Sequence, residues 1–282
     1  MSAATVVSAS DRTTIHASFF SLTCGALGML GVAVGTFISP GSSGTFGWAL
    51  HAGGWILVSV AIIAHIEHLS NRLGRVAVIC GILAAVGQGL ADLPFAINSA
   101  WVSDTGWINY FNAMWAAASL LAAASIGLAA VRKEKQMEAH LASGRPGMYA
   151  SEDYSTTVHA SFLSLVTGAV GALLTGIASL MLIGGGGPAT RLSWILYAIG
   201  SVLLAAAIIA HIEHLSLSLG RPAVILGSLA MILNAVSALP GVFDPAGSNT
   251  LDTTLIWLLF AGSATIAAIA IGLVAVRRRA QG

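Results

Sequence analysis

Ala61-Ile-Ile-Ala-His-Ile-Glu-His-Leu-Ser70 occurs twice in this chain: Ala207 to Ser216 repeats it with all ten residues identical. Each copy closes an apolar run. The first run begins at Trp48 and meets no Asp, Glu, Lys or Arg before Glu67. About 20 consecutive apolar residues carry a helix across the hydrocarbon core of a bilayer, where only a helix or a closed barrel satisfies its own backbone polar groups. The run therefore reads as a transmembrane span that ends in a polar His-Ile-Glu-His segment, and its recurrence reads as a duplication of the unit around it.

Working outward, the match extends over most of the chain. His16-Ala-Ser-Phe-Phe-Ser-Leu22 returns as His159-Ala-Ser-Phe-Leu-Ser-Leu165, Leu73-Gly-Arg75 as Leu219-Gly-Arg221, and Leu93-Pro94 as Leu239-Pro240. Composition agrees with the membrane reading: 56% of the 282 residues are hydrophobic and 8% are charged, with a mean hydropathy of +0.87. A water-soluble domain carries about 25% charged residues. The expected fold is all-α and polytopic, with eight transmembrane helices arranged as two parallel tandem four-helix repeats. The spans fall at 14–38, 46–70, 75–98, 107–131, 157–183, 191–216, 221–243 and 251–276. Residues 1–135 form the first repeat, 136–156 a cytoplasmic linker and 157–282 the second repeat. Four spans per repeat bring both halves in from the same side, so a pseudo-twofold axis along the membrane normal relates them. Each half is expected to form its own bundle.

Orientation follows from the basic residues. Of the 12 Lys and Arg, all but Arg191 fall on the side that holds the termini, including Arg12, Arg145 and Arg277 to Arg279. The positive-inside rule places that side in the cytoplasm, so a multi-pass protein of the inner (plasma) membrane with both termini cytoplasmic is expected. Trp48, Trp101, Trp107 and Trp194 lie near span ends on the other face, where interfacial anchors belong. Asp11 and Arg12 alone carry charge before the first run, which is of full span length, so no cleavable signal is read. A net charge of +1 points to no nucleic acid. Cys24 and Cys80 lie in apolar spans and have Thr167 and Leu226 as counterparts, as expected of small buried residues and not of a disulfide.

Six of the eight histidines form three repeat-related pairs: His16 with His159, His65 with His211, and His68 with His214. The topology brings each trio to the cytoplasmic ends of adjacent spans, His16 at the start of the first and His65 and His68 at the end of the second. Three readings follow. Two imidazoles on facing helices can ligate haem b, His16 with His65 or His68 and their counterparts in the second half. The same trio suits copper, iron or zinc. Polar side chains near span ends can also simply hydrogen-bond between helices. Glu67 and Glu213 point away from the histidine face and are expected to pair with Arg75 and Arg221 across the short loop.

Other positions carry weaker signals. His51 has Tyr197 as its counterpart and reads as an unpaired interfacial residue. Asp92, with Ala238 opposite it, is a functional candidate because it is an intramembrane carboxylate. Gln88 and Asn234 are expected to hydrogen-bond between helices, and Gly25, Gly28, Gly168 and Gly171 to allow close packing. His140 falls in the linker. No Gly-rich phosphate loop, nucleophile elbow or Cys-x-x-Cys pair occurs. The plan of two joined four-helix halves with histidines inside each is similar to that of the haem A synthase family. The His-Ile-Glu-His motif and the absence of an outer-loop cysteine pair depart from that family, so the resemblance is one of plan and no residue is carried over.

The resulting expectation is a membrane haem-binding or electron-transfer subunit, in contact with lipid and with quinone or other subunits of a larger respiratory or redox complex. The alternatives are a transition-metal or proton-coupled transporter and an accessory structural subunit. The orientation is directly testable. In intact cells, Ser103→Cys should react with an impermeant thiol reagent, whereas Ser143→Cys should react only after permeabilisation; the reverse pattern would invert the topology.

Overall fold

A computed structural model describes residues 15–39, 44–142, 156–184, 188–245 and 250–281. Asp11, Arg12, Ser143, Arg145 and the turn at 40–43 lie outside the described residues. The described chain is helical, with no strand, and eight of its helices are long and apolar enough to cross a membrane. The protein is a multi-pass, all-helical membrane protein.

The first half consists of α1 (Phe19–Ile38), α2 (Thr45–Ile63), α3 (Ile66–Leu73), α4 (Arg75–Ile97) and α5 (Thr105–Ala142). The second consists of α6 (Phe162–Met181), α7 (Pro188–Ile209), α8 (Ile212–Leu219), α9 (Arg221–Ser237), α10 (Leu239–Phe243) and α11 (Thr250–Ala280). Ser18 and Ser161 cap α1 and α6 by accepting the backbone N–H of Ser21 at 3.0 Å and of Ser164 at 3.1 Å. Both spans therefore start later than their apolar runs suggest, and His16 and His159 precede their helices.

Three boundaries differ from expectation. The spans expected at 46–70 and 191–216 break at His65 and His211, and the polar HIEHLS segment forms a separate short helix, α3 or α8. At each break the histidine N–H bonds the third carbonyl back, that of Ile62 or Ile208, and so releases the carbonyl of Ala61 or Ala207. A freed carbonyl inside a membrane protein needs a donor. Ser21 and Ser164, on the neighbouring helices, supply it at 2.7 Å and 2.6 Å. The third difference is the linker. Residues 136–142 extend α5, whose 38 residues reach roughly 57 Å at about 1.5 Å per residue, well beyond a hydrocarbon core of about 30 Å. Glu134, Lys135, Gln136 and Met137 are good helix formers, and polarity alone does not stop a helix that leaves the bilayer.

Packing also departs from two separate bundles. The long helices follow one another round a single ring in the order α1, α2, α4, α5, α6, α7, α9, α11, and α11 returns to α1. Among the described residues, the first and last long helices of the same half share no substantial contact. The two seams are built alike. Gln281 at the end of α11 accepts the Ile15 N–H at 3.0 Å, and Gln136 at the end of α5 accepts the Val158 N–H at 3.0 Å. Since Ile15 meets Gln281, the two ends of the described chain lie on one face of the ring.

Two repeat-related positions need glycine for their backbone, as does Gly184 at φ +63°. Gly74 and Gly220 both turn at φ +94°, between the short helix and the next span. Close approach supplies a second use. A Cβ on Gly28 would fall 2.7 Å from the Gly54 carbonyl oxygen, and one on Gly171 would fall 2.7 Å from that of Gly200. These pairs hold α1 on α2 and α6 on α7, whereas Gly25 and Gly168 have room for ordinary contacts. Gly28→Val should therefore destabilise the protein by about 1–3 kcal/mol through overpacking. Gly53→Ala, which meets no atom within 4 Å, should leave thermal unfolding in detergent unchanged or slightly raised.

Candidate functional site

Two kinds of polar cluster occur, one at the face that holds the chain ends and one inside the ring. At the face, the antiparallel pairing of α1 with α2 sets His16 beside α3. The His16 and His68 rings stack at 5.1 Å and 17°, and His65 lies 4.7 Å from His68. The other half repeats this, with His159 on His214 at 5.4 Å and 15° and His211 at 4.8 Å from His214. The six paired histidines thus converge as two stacked trios.

Stacking restricts their chemistry. Imidazole coordinates through a ring nitrogen in the plane of the ring, so rings facing one another at these distances present their nitrogens sideways and do not clamp a macrocycle between them. Among the described residues, no group of three or more His, Cys, Asp or Glu is arranged to hold a metal ion. Glu67 and Glu213 are exposed, as are Arg75 and Arg221. Among the described residues no ion pair joins them. The expected pairing fails because each arginine opens the helix after the Gly turn and faces solvent. The arginines that do brace this turn are Arg132 and Arg277, which donate to the carbonyls of Asn71 at 2.7 Å and Leu217 at 2.9 Å.

Burial disfavours the charged form of His65, His68 and His211. His68 is pushed down to about 4 by desolvation first, then by Arg72, His65 and His16. Desolvation, with His214 and Lys133 behind it, likewise lowers His211 to about 4, and His65 moves in the same direction.

Inside the ring lies a second cluster, built on His51 and Asp92. His51 on α2 and Asp92 on α4 are 2% and 0% exposed, and His51 Nδ1 is hydrogen-bonded to Asp92 Oδ2 at 2.6 Å. His51 is therefore neither unpaired nor interfacial. Trp48, three residues before it, is likewise no interfacial anchor: it is buried against Phe95 at 4.9 Å and Trp257 at 5.9 Å. Trp101 and Trp107 do lie at the far end, stacked at 4.6 Å. The signal for the inner cluster was present in the sequence. Trp48, His51 and Trp55 are spaced three and four apart and so share one helix face, and a paired histidine explains an intramembrane carboxylate.

The pair lies beside two adjoining cavities on the ring axis. One, of 340 Å³, is lined by residues of all eight long helices. The other, of 210 Å³, lies toward the end opposite the histidine trios and includes His51; the two share Trp115, Tyr197 and Phe260. Their walls are apolar and aromatic, yet several buried polar atoms of the lining residues have no hydrogen-bond partner: Trp55 Nε1 and Gln88 Oε1 in the first, His51 Nε2 in the second and Trp115 Nε1 in both; Asp92 Oδ1, whose residue lines neither, also has none. The positions matching His51, Gln88 and Trp55 behave differently. Asn234 bonds the Tyr197 hydroxyl at 3.2 Å and donates to Ser201 at 2.9 Å, so that side satisfies itself. The interhelical bond expected of Asn234 forms; Gln88 leaves its oxygen without one.

Comparison with protein-family models, with curated proteins and with solved structures finds no match. The class defined so far is a multi-pass helical membrane protein with an axial cavity.

The lowered histidines set a pH dependence. The unfolded chain binds protons on these rings near their ordinary value of about 6.5, whereas the folded chain binds them on His68 and His211 only near 4. Protons therefore favour unfolding, and the stabilisation is complete above about 6.5 and lost as pH falls toward 4. Thermal melting in detergent should drop between pH 7 and pH 5, and the His68→Gln/His211→Gln variant should flatten that slope. Equal melting at both pH values would show that the trios are not held neutral.

Proposed function

We propose that the chain is a membrane carrier that takes a small, largely apolar molecule into the axial cavity, with His51 and Asp92 as its proton-exchanging pair. The observation that carries this reading is a cavity lined by all eight long helices, three of whose lining residues, Trp55, Gln88 and Trp115, have a buried polar atom without a partner, with His51 Nε2 a fourth on the adjoining cavity. Buried polar groups in folded proteins are nearly always hydrogen-bonded, and ligand sites are apolar clefts with a few such groups aimed inward. Carriers built from repeats hold substrate near the bilayer midplane where the repeats meet. The face with the histidine trios and most basic residues is cytoplasmic in this proposal, and the membrane is the cell's inner (plasma) membrane.

A second proposal keeps the histidine trios as ligands of haem b, or of copper, iron or zinc, in an electron-transfer subunit that meets quinone and other subunits. Its support is the occurrence of the same trio in both halves. It requires the stacked rings to turn edge-on toward the iron.

Three measurements test these proposals. Native mass spectrometry of the purified protein should reveal a bound apolar molecule, and Ala122→Phe and Ala267→Phe, which fill the cavity, should lose it while the helical signal persists. In proteoliposomes, a pH gradient should drive uptake of that molecule, and Asp92→Asn should abolish the response to the gradient. A protein that carries nothing and shows no uptake would end the carrier reading. A Soret band that vanishes in the His68→Ala/His214→Ala variant would establish the haem reading in its place, and a protein without one would remove haem.

A further inference from the structure

We propose that the axial cavity selects a neutral, flat molecule by a hydrogen-bond-accepting carbonyl oxygen, of the ketone or quinone kind, held by His51 Nε2–H and the indole N–H groups of Trp55 and Trp115. The inference rests on the carrier reading and names its substrate class.

Charge comes first. Neither cavity is lined by Lys, Arg, Asp or Glu among the described residues. A charged ligand would find no counter-ion on these walls, and desolvating it there would cost several kcal/mol or more. The one buried carboxylate nearby, Asp92, is bonded to His51 through Oδ2, and although its Oδ1 has no partner the residue lines neither cavity. The ligand is neutral.

The sign of the free polar groups comes next. An indole nitrogen can only donate, so Trp55 and Trp115 present two donors. For His51 the proton count decides. A buried carboxylate and imidazole form a net-neutral unit either as the carboxylic acid with neutral imidazole or as carboxylate with imidazolium. With Nδ1 bonded to Asp92, Nε2 carries hydrogen in both arrangements: in the first because Nδ1 is the acceptor, in the second because both nitrogens are protonated. His51 therefore offers a third donor while the pair carries its exchangeable proton, whichever side of the 2.6 Å bond holds it. Gln88 can join them, because its amide oxygen and nitrogen are interchangeable by rotation. A ligand that satisfies such a set must bring acceptors, and a ketone or quinone is a neutral, flat molecule that brings acceptors without a donor.

Shape follows from the walls. Trp115 meets Phe260 at 5.9 Å and Phe111 at 5.4 Å, and His51 lies 6.5 Å from Trp55 and 6.4 Å from Phe260. Aromatic faces of this kind favour a planar ring laid against them.

Duroquinone and durene make a matched pair for the test, since they share a tetramethylated six-membered ring and differ in the two carbonyls; duroquinone also has no free ring position for a thiol to attack. Binding to the purified full chain in detergent would be measured by calorimetry and by thermal shift. Duroquinone should bind at least tenfold more tightly than durene. Trp55→Phe and Trp115→Phe, which keep an aromatic ring and remove one donor each, should weaken duroquinone binding about three- to tenfold and leave durene unchanged. The His51→Leu/Asp92→Leu variant removes both partners together, so no orphaned charge is left, and should act in the same way. Equal binding of the two compounds would overturn the carbonyl selection and leave the carrier reading standing. A preference for duroquinone that survives all three variants would also overturn it, by placing the carbonyl elsewhere. Binding of neither would overturn both the selection and the carrier reading.

Discussion

The seam between the halves is the contact on which everything else depends. A four-helix unit whose last helix returned to its first would seal its own core and leave no shared interior. Here α5 passes on to α6 and α11 passes on to α1, so neither half closes without the other. Gln136 and Gln281 hold the entering chain segment at each seam by the same backbone bond, at the point where Val158 and Ile15 are buried at 1% and 2% exposure. A ring of eight helices cannot bring opposite walls into contact, and the axial cavity is the geometric result.

The side chains are distributed to suit a bilayer. The buried apolar residues are mostly alanine, with small Val, Ser and Gly beside them, whereas large apolar residues such as Phe20, Leu27, Phe37 and Leu163 face outward. Lipid tails are as apolar as leucine, so the gain comes from close backbone approach inside and not from hiding large side chains. The same logic explains the breaks at His65 and His211. A helix can be interrupted at the edge of the core because Ser21 and Ser164 reach across to the carbonyls that the interruption exposes. The short helices that follow then turn His68 and His214 back over His16 and His159.

Duplication and function separate along this line. Where the halves match residue for residue, they build scaffold: the serine clamps, the glycine contacts, the arginines over the Gly74 and Gly220 turns, and the stacked histidines. Four positions at which they differ lie at or beside the axial cavities. His51 stands against Tyr197, Asp92 against Ala238, Trp55 against Ser201 and Gln88 against Asn234. One side satisfies its polar groups internally and the other leaves donors on the cavity wall.

The sequence by itself determined the class. Apolar run length and helix-forming composition are properties of neighbouring residues, so the membrane reading and the number and order of the eight spans were legible, though not where the second, fourth and sixth end, and identity between distant segments showed that the histidines recur. It also placed each trio at one face, since span direction alternates. The sequence did not determine which helix touches which. Closing as one ring or as two bundles depends on long-range packing between helices of nearly equal hydropathy, and no local pattern distinguishes them. His51 illustrates the gap most clearly. Read along the chain, it is a solitary histidine near a span end with no counterpart. Its role as partner to Asp92 exists only once α2 and α4 lie side by side, because a buried polar group takes its character from the atom that satisfies it, and that atom is supplied by tertiary structure alone.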